Sequence, residues 1–188
     1  LHLLDWMEAK GHAYDVITDE DLHLEGAELL TPYSVVVTGT HPEYWSTPML
    51  NGLETYLASG GRTMYLGGNG FYWIISFDTD RPHYIEVRRW YGTQAWEASP
   101  GEYYHNTTGE LGGLWRHRGR AAQALVGVGT AAEGSDSSMP YLRKVDSHNE
   151  RVEFIFQGIG EDEKIGDFGL IMRGAGGFEV DRADVGLG

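Results

Sequence analysis

A histidine and a glutamate two residues apart, His41 and Glu43, are the first residues in this sequence with chemistry to offer. On extended backbone, side chains two positions apart project to the same side. A carboxylate is a hard oxygen ligand suited to Mg, Mn or Fe(III). A neighbouring imidazole serves as a ligand, a proton shuttle or a support for the carboxylate. A structural account also stands: His41 caps a loop and Glu43 pairs with a base. Asn69 is no nucleophile, but its amide polarises a carbonyl as an oxyanion donor. Asparagine is also common at left-handed turn positions. Glu179 follows Gly176-Gly177-Phe178, where glycines allow close backbone approach, or it pairs with Arg173 or Arg182. Tyr44, Trp45, Phe71, Tyr72 and Trp73 concentrate around these groups. At least half are expected in the core. Tyr44, Phe71 and Tyr72 are the candidates for a small apolar pocket. His83, His105 and His117 lack ligand spacing and are expected at the surface or in local hydrogen bonds.

The elements that must position these residues come in two similar units. Ser34 to Val37 is β-branched and reads as a strand, broken at Gly39, and Ser46-Thr47-Pro48 starts a helix. Arg62 to Leu66 is the next strand, followed by the turn Gly67-Gly68-Asn69-Gly70. If the two strands are parallel neighbours, both loops face one crevice at their carboxyl ends, as in open α/β sheets. Helices are expected over Leu1 to Lys10 and Met49 to Ser59, with a weaker one over Asp19 to Leu30. Further strands are expected at Tyr14 to Ile17, Tyr84 to Arg88 and Val152 to Phe156. Residues 91–120 have no helical period and 133–149 read as a loop. The expected fold is α/β: a doubly wound, mostly parallel sheet flanked by helices, with a long β-rich or irregular insertion at about 91–149. Residues 1–188 are expected to form a single domain.

Composition narrows the function. Twenty-eight acids against 14 bases give a net charge of −14, which argues against nucleic acid and anionic membrane surfaces as partners. With 41% hydrophobic residues a core can form. The absence of cysteine removes disulfides, thiolate metal sites and a cysteine nucleophile, and a cytoplasmic location is the expectation. No apolar run approaches the ~20 residues of a membrane helix. The chain opens on Leu1 within a helical pattern and is expected to be a piece of a longer polypeptide.

Five blocks, in order, carry a family resemblance: His41-Pro42-Glu43-Tyr44-Trp45-Ser46; Gly67-Gly68-Asn69-Gly70-Phe71-Tyr72-Trp73; Gly101-Glu102-Tyr103-Tyr104-His105; Gly109-Glu110-Leu111-Gly112-Gly113-Leu114-Trp115-Arg116; and Gly177-Phe178-Glu179-Val180-Asp181-Arg182. Together they resemble the C-terminal domain of the N,N-dimethylformamidase large subunit, over nearly the whole chain. The resemblance implies a class I glutamine amidotransferase-like fold without that fold's catalytic cysteine. It also implies an amidohydrolase with a mononuclear Fe3+ held by two tyrosines and one glutamate. Glu43 matches the glutamate, and the two tyrosines are expected upstream of this chain. His41, Asn69 and Glu179 match further active-site positions.

The implied reaction is hydrolysis of N,N-dimethylformamide, or a similar small N-substituted amide, to amine and formate by iron-activated water. Nitrogen must be protonated as the C–N bond breaks, by His41 or Glu179, while Asn69 holds the oxyanion. The implied partners are the small amide, a small subunit and the remaining large-subunit domains in an oligomer. The fragment alone is expected to be inactive. Two other readings remain at this point: a non-catalytic module serving assembly, and a metal-independent hydrolase using His41 and Glu43 as acid and base.

Overall fold

The computed structural model describes residues 2–92, 95–134, 138–168, 174–177 and 179–183. Five α-helices and seven strands are defined among them: α1 (His2–Lys10), α2 (Asp19–Glu25), α3 (Ala27–Leu30), β1 (Val36–Thr38), β2 (Tyr44–Ser46), α4 (Thr47–Ala58), β3 (Thr63–Tyr65), β4 (Trp73–Phe77), β5 (Ile85–Val87), α5 (Ala122–Val126), β6 (Gly129–Glu133) and β7 (Glu179–Arg182). The chain divides into two compact units, Leu1–Thr130 with Asp181–Gly188, and Ala131–Val180. None of the helices among the described residues is long and apolar enough to cross a membrane.

In the first unit β1 and β3 are parallel neighbours, with Val36 opposite Thr63 and Thr38 opposite Tyr65. The helical crossover between them is α4. Ser46 caps it by accepting the Met49 amide, and Pro48 sits in its first turn, where a missing N–H costs nothing. Its apolar residues Met49, Leu50, Leu53 and Tyr56 recur at helical spacing and are all buried. They pack with Trp45, Phe71, Ile74, Ile75, Phe77 and Trp115 into one core. Each large side chain so buried contributes about 1.5–3 kcal/mol.

The doubly wound, mostly parallel sheet of amidotransferase type is not what forms. The strands fall into three small sheets: β1–β3, the mixed sheet β2–β4–β5, and β6–β7. The physical reason lies in the connections. Every parallel pair in a doubly wound sheet needs a long crossover, usually a helix, and among the described residues α4 alone follows that pattern. The chain leaves β1 through the loop 39–43 and pairs again as β2, parallel to β4, with Tyr44 opposite Trp73. β5 closes that sheet antiparallel to β4.

Three further expectations fail locally. Tyr14 to Ile17 is irregular and pairs with no strand among the described residues. Val152 to Phe156 is a 3-10 turn over Glu153–Phe156, started when the Val152 and Glu153 amides both bond to the Asn149 carbonyl. Its alternating pattern finds no neighbouring strand among the described residues, and Phe154 and Ile155 are exposed. Conversely, a strand forms where none was expected: β4 starts at Trp73, the last of the aromatics that follow the Gly67–Gly70 turn. All five of its residues are buried, so it lacks the alternation that marks a half-exposed strand.

The second unit is held by reciprocal backbone bonds between Tyr141 and Ile165 and between Met139 and Gly176. Arg143 reaches the Ser147 carbonyl at 2.9 Å and Glu153 at 3.0 Å, and its guanidinium lies 4.4 Å from the Phe156 ring centre.

Candidate functional site

The loops that follow β1 and β3 are bonded to each other through their backbones. The Gly68 amide donates to the Thr40 carbonyl at 3.3 Å and the Phe71 amide to the Pro42 carbonyl at 2.8 Å. The Glu43 carbonyl accepts two donors, the Tyr72 amide at 3.0 Å and the Trp73 amide at 2.9 Å. The indole of Trp45 adds a bond to Pro42. Contact is so close that a side chain at Gly67 would meet the Thr40 carbonyl oxygen at 2.3 Å. The segment carrying His41 and Glu43 and the turn carrying Asn69 thus form one backbone framework. Glu43 is half-buried and His41 exposed.

Asn69 and Phe71 both take left-handed backbone, φ 56°. Asparagine adopts it readily. For a bulky aromatic the conformation costs about 1–3 kcal/mol. The Phe71 ring offsets that cost by packing 4.6 Å from Trp45 and 5.8 Å from Tyr65. Asn69 is 5% exposed, and its Oδ1 accepts from the Thr130 hydroxyl at 3.1 Å. The turn is anchored again at Gly70, whose amide donates to the Tyr65 hydroxyl at 2.8 Å. That hydroxyl in turn donates to Asp181 at 2.7 Å.

Among the aromatics, Trp45, Phe71, Tyr72 and Trp73 are core residues. Phe71 and Tyr72 share the wall of a cavity of about 20 Å³, and Phe71 also lines one of about 320 Å³ with Leu50, Leu57, Leu125 and the Glu54–Arg120 ion pair. Tyr44 is half-buried at the start of β2. Its hydroxyl accepts a 2.5 Å bond from Arg89, a residue not among the sequence candidates. The Arg89 guanidinium lies 5.9 Å from the Tyr44 ring, 5.4 Å from Trp73 and 5.9 Å from Trp96, so three aromatic faces stabilise the charge.

Glu179 opens β7 and is half-buried in the second unit. Of its expected arginine partners, Arg173 lies outside the described residues, as does Phe178. His105, expected at the surface or in local hydrogen bonds, is 1% exposed, and neither ring nitrogen has a hydrogen-bond partner among the described residues. It is drawn inward by the tight turn it opens, in which its amide bonds the Glu110 carbonyl and its carbonyl the Gly109 amide. Burial pushes its proton affinity down, against the pull of Glu86 and Glu110. Burial of Glu86 favours its neutral form. Bonds from the Asn106 and Thr107 amides, Arg88 and the Thr107 hydroxyl outweigh that and hold the carboxyl at about 2.

No three histidine, cysteine, aspartate or glutamate residues gather into a metal-holding group among the described residues. Glu43 offers one hard carboxylate oxygen donor, the kind that iron(III) favours.

Short-range pattern reaches His41, Glu43 and Asn69 because each sits where a strand ends. Thr130, Tyr65, Asp181 and Arg89 escape it, since each acts on a residue far along the chain.

A family model described as N,N-dimethylformamidase beta subunit-like, C-terminal, matches residues 1–188. The N,N-dimethylformamidase beta subunit of Alcaligenes sp is 49% identical over the whole chain, and that of Paracoccus aminophilus 48%. These relatives are named as beta subunits, which replaces the expected designation of large subunit. The chain spans about a quarter of the length of the curated relatives it matches.

Proposed function

The chain belongs to the N,N-dimethylformamidase beta subunit-like, C-terminal family, and from that membership we propose that it forms one wall of a site hydrolysing a small N-substituted amide. N,N-dimethylformamide is the substrate we assign, with dimethylamine and formate as products. The observation that carries this reading is the backbone framework joining Glu43 to the Asn69 turn. It holds a carboxylate and a neutral amide donor on one rigid support, and preorganised donors need no reorganisation during reaction.

In this reading Glu43 is the chain's ligand to iron, and the other ligands come from the rest of the polypeptide. When bound, iron(III) supplies Lewis acidity, making water more acidic and the amide carbonyl more electrophilic. Asn69 donates from Nδ2 to the oxygen that gains charge as the carbonyl carbon becomes tetrahedral. His41 holds the proton that the leaving nitrogen requires, because dimethylamide is too basic to depart unprotonated; Glu179 is the other candidate for that proton. Tyr44, Phe71 and Tyr72 supply apolar surface for the two methyl groups, which accept no hydrogen bond. The relatives' designation as a subunit supports a partner subunit for the assembled enzyme.

The experiment is Glu43→Ala in the full-length polypeptide with its partner. Iron content and dimethylformamide turnover should both be lost. An enzyme that keeps both overturns the assignment.

A further inference from the structure

Parallel strands occur almost always in sheets with both faces covered, because their connections lie over those faces. The β1–β3 pair meets that requirement on one face only. Val36 and Tyr65 pack against the core to which α4 contributes Met49, Leu50, Leu53 and Tyr56. The register fixes what lies on the other face. Val37 is directly opposite Met64, so the two point the same way. On extended backbone Val35 and Leu66, each two residues from one of that pair, join them. The four make one apolar row with the exposed Arg62 at one end. Val35 is 40% exposed, Met64 and Leu66 are each 49% exposed, and Val37 is half-buried between them.

This row is a face of regular structure rather than scattered surface. It belongs to strands joined by backbone bonds, with the Val36 amide 2.8 Å from the Arg62 carbonyl. Two strands are marginal without further packing, so whatever covers the row must be present whenever the strands are folded. A body on the same polypeptide meets that condition at any protein concentration, because a tether replaces association by a high effective concentration. The relatives supply such a body in length, since the chain spans about a quarter of each. A dissociable partner would leave the row in water each time it departed.

We propose that the face made by Val35, Val37, Met64 and Leu66 is a docking surface, and that its occupant is an apolar surface of the same polypeptide outside residues 1–188.

The test uses the full-length polypeptide with its partner subunit and makes two measurements. In Met64→Cys, alkylation of the thiol at position 64 by iodoacetamide is followed by peptide mapping, in the native enzyme and in urea. The native rate should be slower by about tenfold or more, the mark of a site reached only through local opening. Equal rates overturn the proposal. In the second measurement photo-methionine replaces methionine without changing the sequence, in enzyme assembled from a mixture of isotopically heavy and light subunits. After illumination the peptide carrying Met64 should be joined to a peptide of its own polypeptide outside residues 1–188, heavy to heavy and light to light. Heavy-to-light links would assign the face to a second copy, and links to the partner subunit would assign it there; either overturns the proposal. So do links confined to residues 1–188, and recovery of Met64 as its water adduct alone.

Discussion

The Tyr65 hydroxyl donates to Asp181 Oδ2 at 2.7 Å across 116 residues of sequence and accepts the Gly70 amide at 2.8 Å. One phenol therefore ties the end of the Asn69 turn to a carboxylate contributed by β7. Tyr65→Phe keeps the ring and removes both bonds. A loss of about 1–2 kcal/mol in stability is expected, because the Gly70 amide and Asp181 are left in a part-buried setting. Hydrogen exchange of the peptide spanning 67–73 in the intact subunit should quicken. Unchanged exchange there would show that the turn is held without Tyr65.

Gly67→Ala places a methyl where the Thr40 carbonyl oxygen stands. Neither backbone yields without breaking the bonds that join the two loops, so the variant should lose about 2 kcal/mol or more. Activity should fall further than the change in melting temperature accounts for, because Glu43 moves relative to Asn69. A variant as stable and as active as the parent would mean that the two loops are not locked together.

Arg89 and Tyr44 form the second coupled pair. Arginine cannot accept a hydrogen bond, so the Tyr44 oxygen accepts from it and the phenolic proton points elsewhere. Arg89→Ala and Tyr44→Phe should each reduce kcat/KM, and the pair together should cost little more than Tyr44→Phe alone. The double-mutant cycle on kcat/KM measures that coupling. Additive effects would separate Arg89 from Tyr44.

Glu86 predicts a pH dependence of stability. Its carboxyl is at about 2 in the folded chain against an ordinary value of 4.5. A carboxyl depressed by folding contributes fully above 4.5, and the contribution is lost as pH falls from 4.5 toward 2. Glu86→Gln should lower stability at neutral pH by on the order of 2 kcal/mol. It should also flatten the acid limb of the stability curve in that window. Urea denaturation at pH 7, 4 and 3 provides the comparison, and a parallel offset at all three values would rule Glu86 out as the titrating group.

What the amino-acid sequence determined by itself is local or carried by ordered motifs. Helical spacing from Met49 to Tyr56 and the Ser46 cap define α4. The β-branched run before Gly39 and the Arg62 to Leu66 segment locate β1 and β3 and the loops that follow them, and the ordered blocks identify the family. Each of these signals lies within a dozen residues or is a direct match of residue types. Tertiary structure alone decided how the strands are shared out. Strand length and pattern do not encode whether β2 joins the sheet of β1 or a new one; that depends on the path of the loop 39–43 and on α4 being the one helical crossover of its kind among the described residues. Burial on both faces hid β4, and Glu153 to Phe156 forms a 3-10 turn, with no strand partner for it among the described residues. The long-range partners of the candidate residues and of Tyr65 were equally illegible. Thr130 meets Asn69 across 61 residues, Arg89 meets Tyr44 across 45, and Asp181 meets Tyr65 across 116. A threonine, an arginine or an aspartate carries no mark of its distant partner. Only the packing of the folded chain brings the Thr130 hydroxyl to the Asn69 amide oxygen.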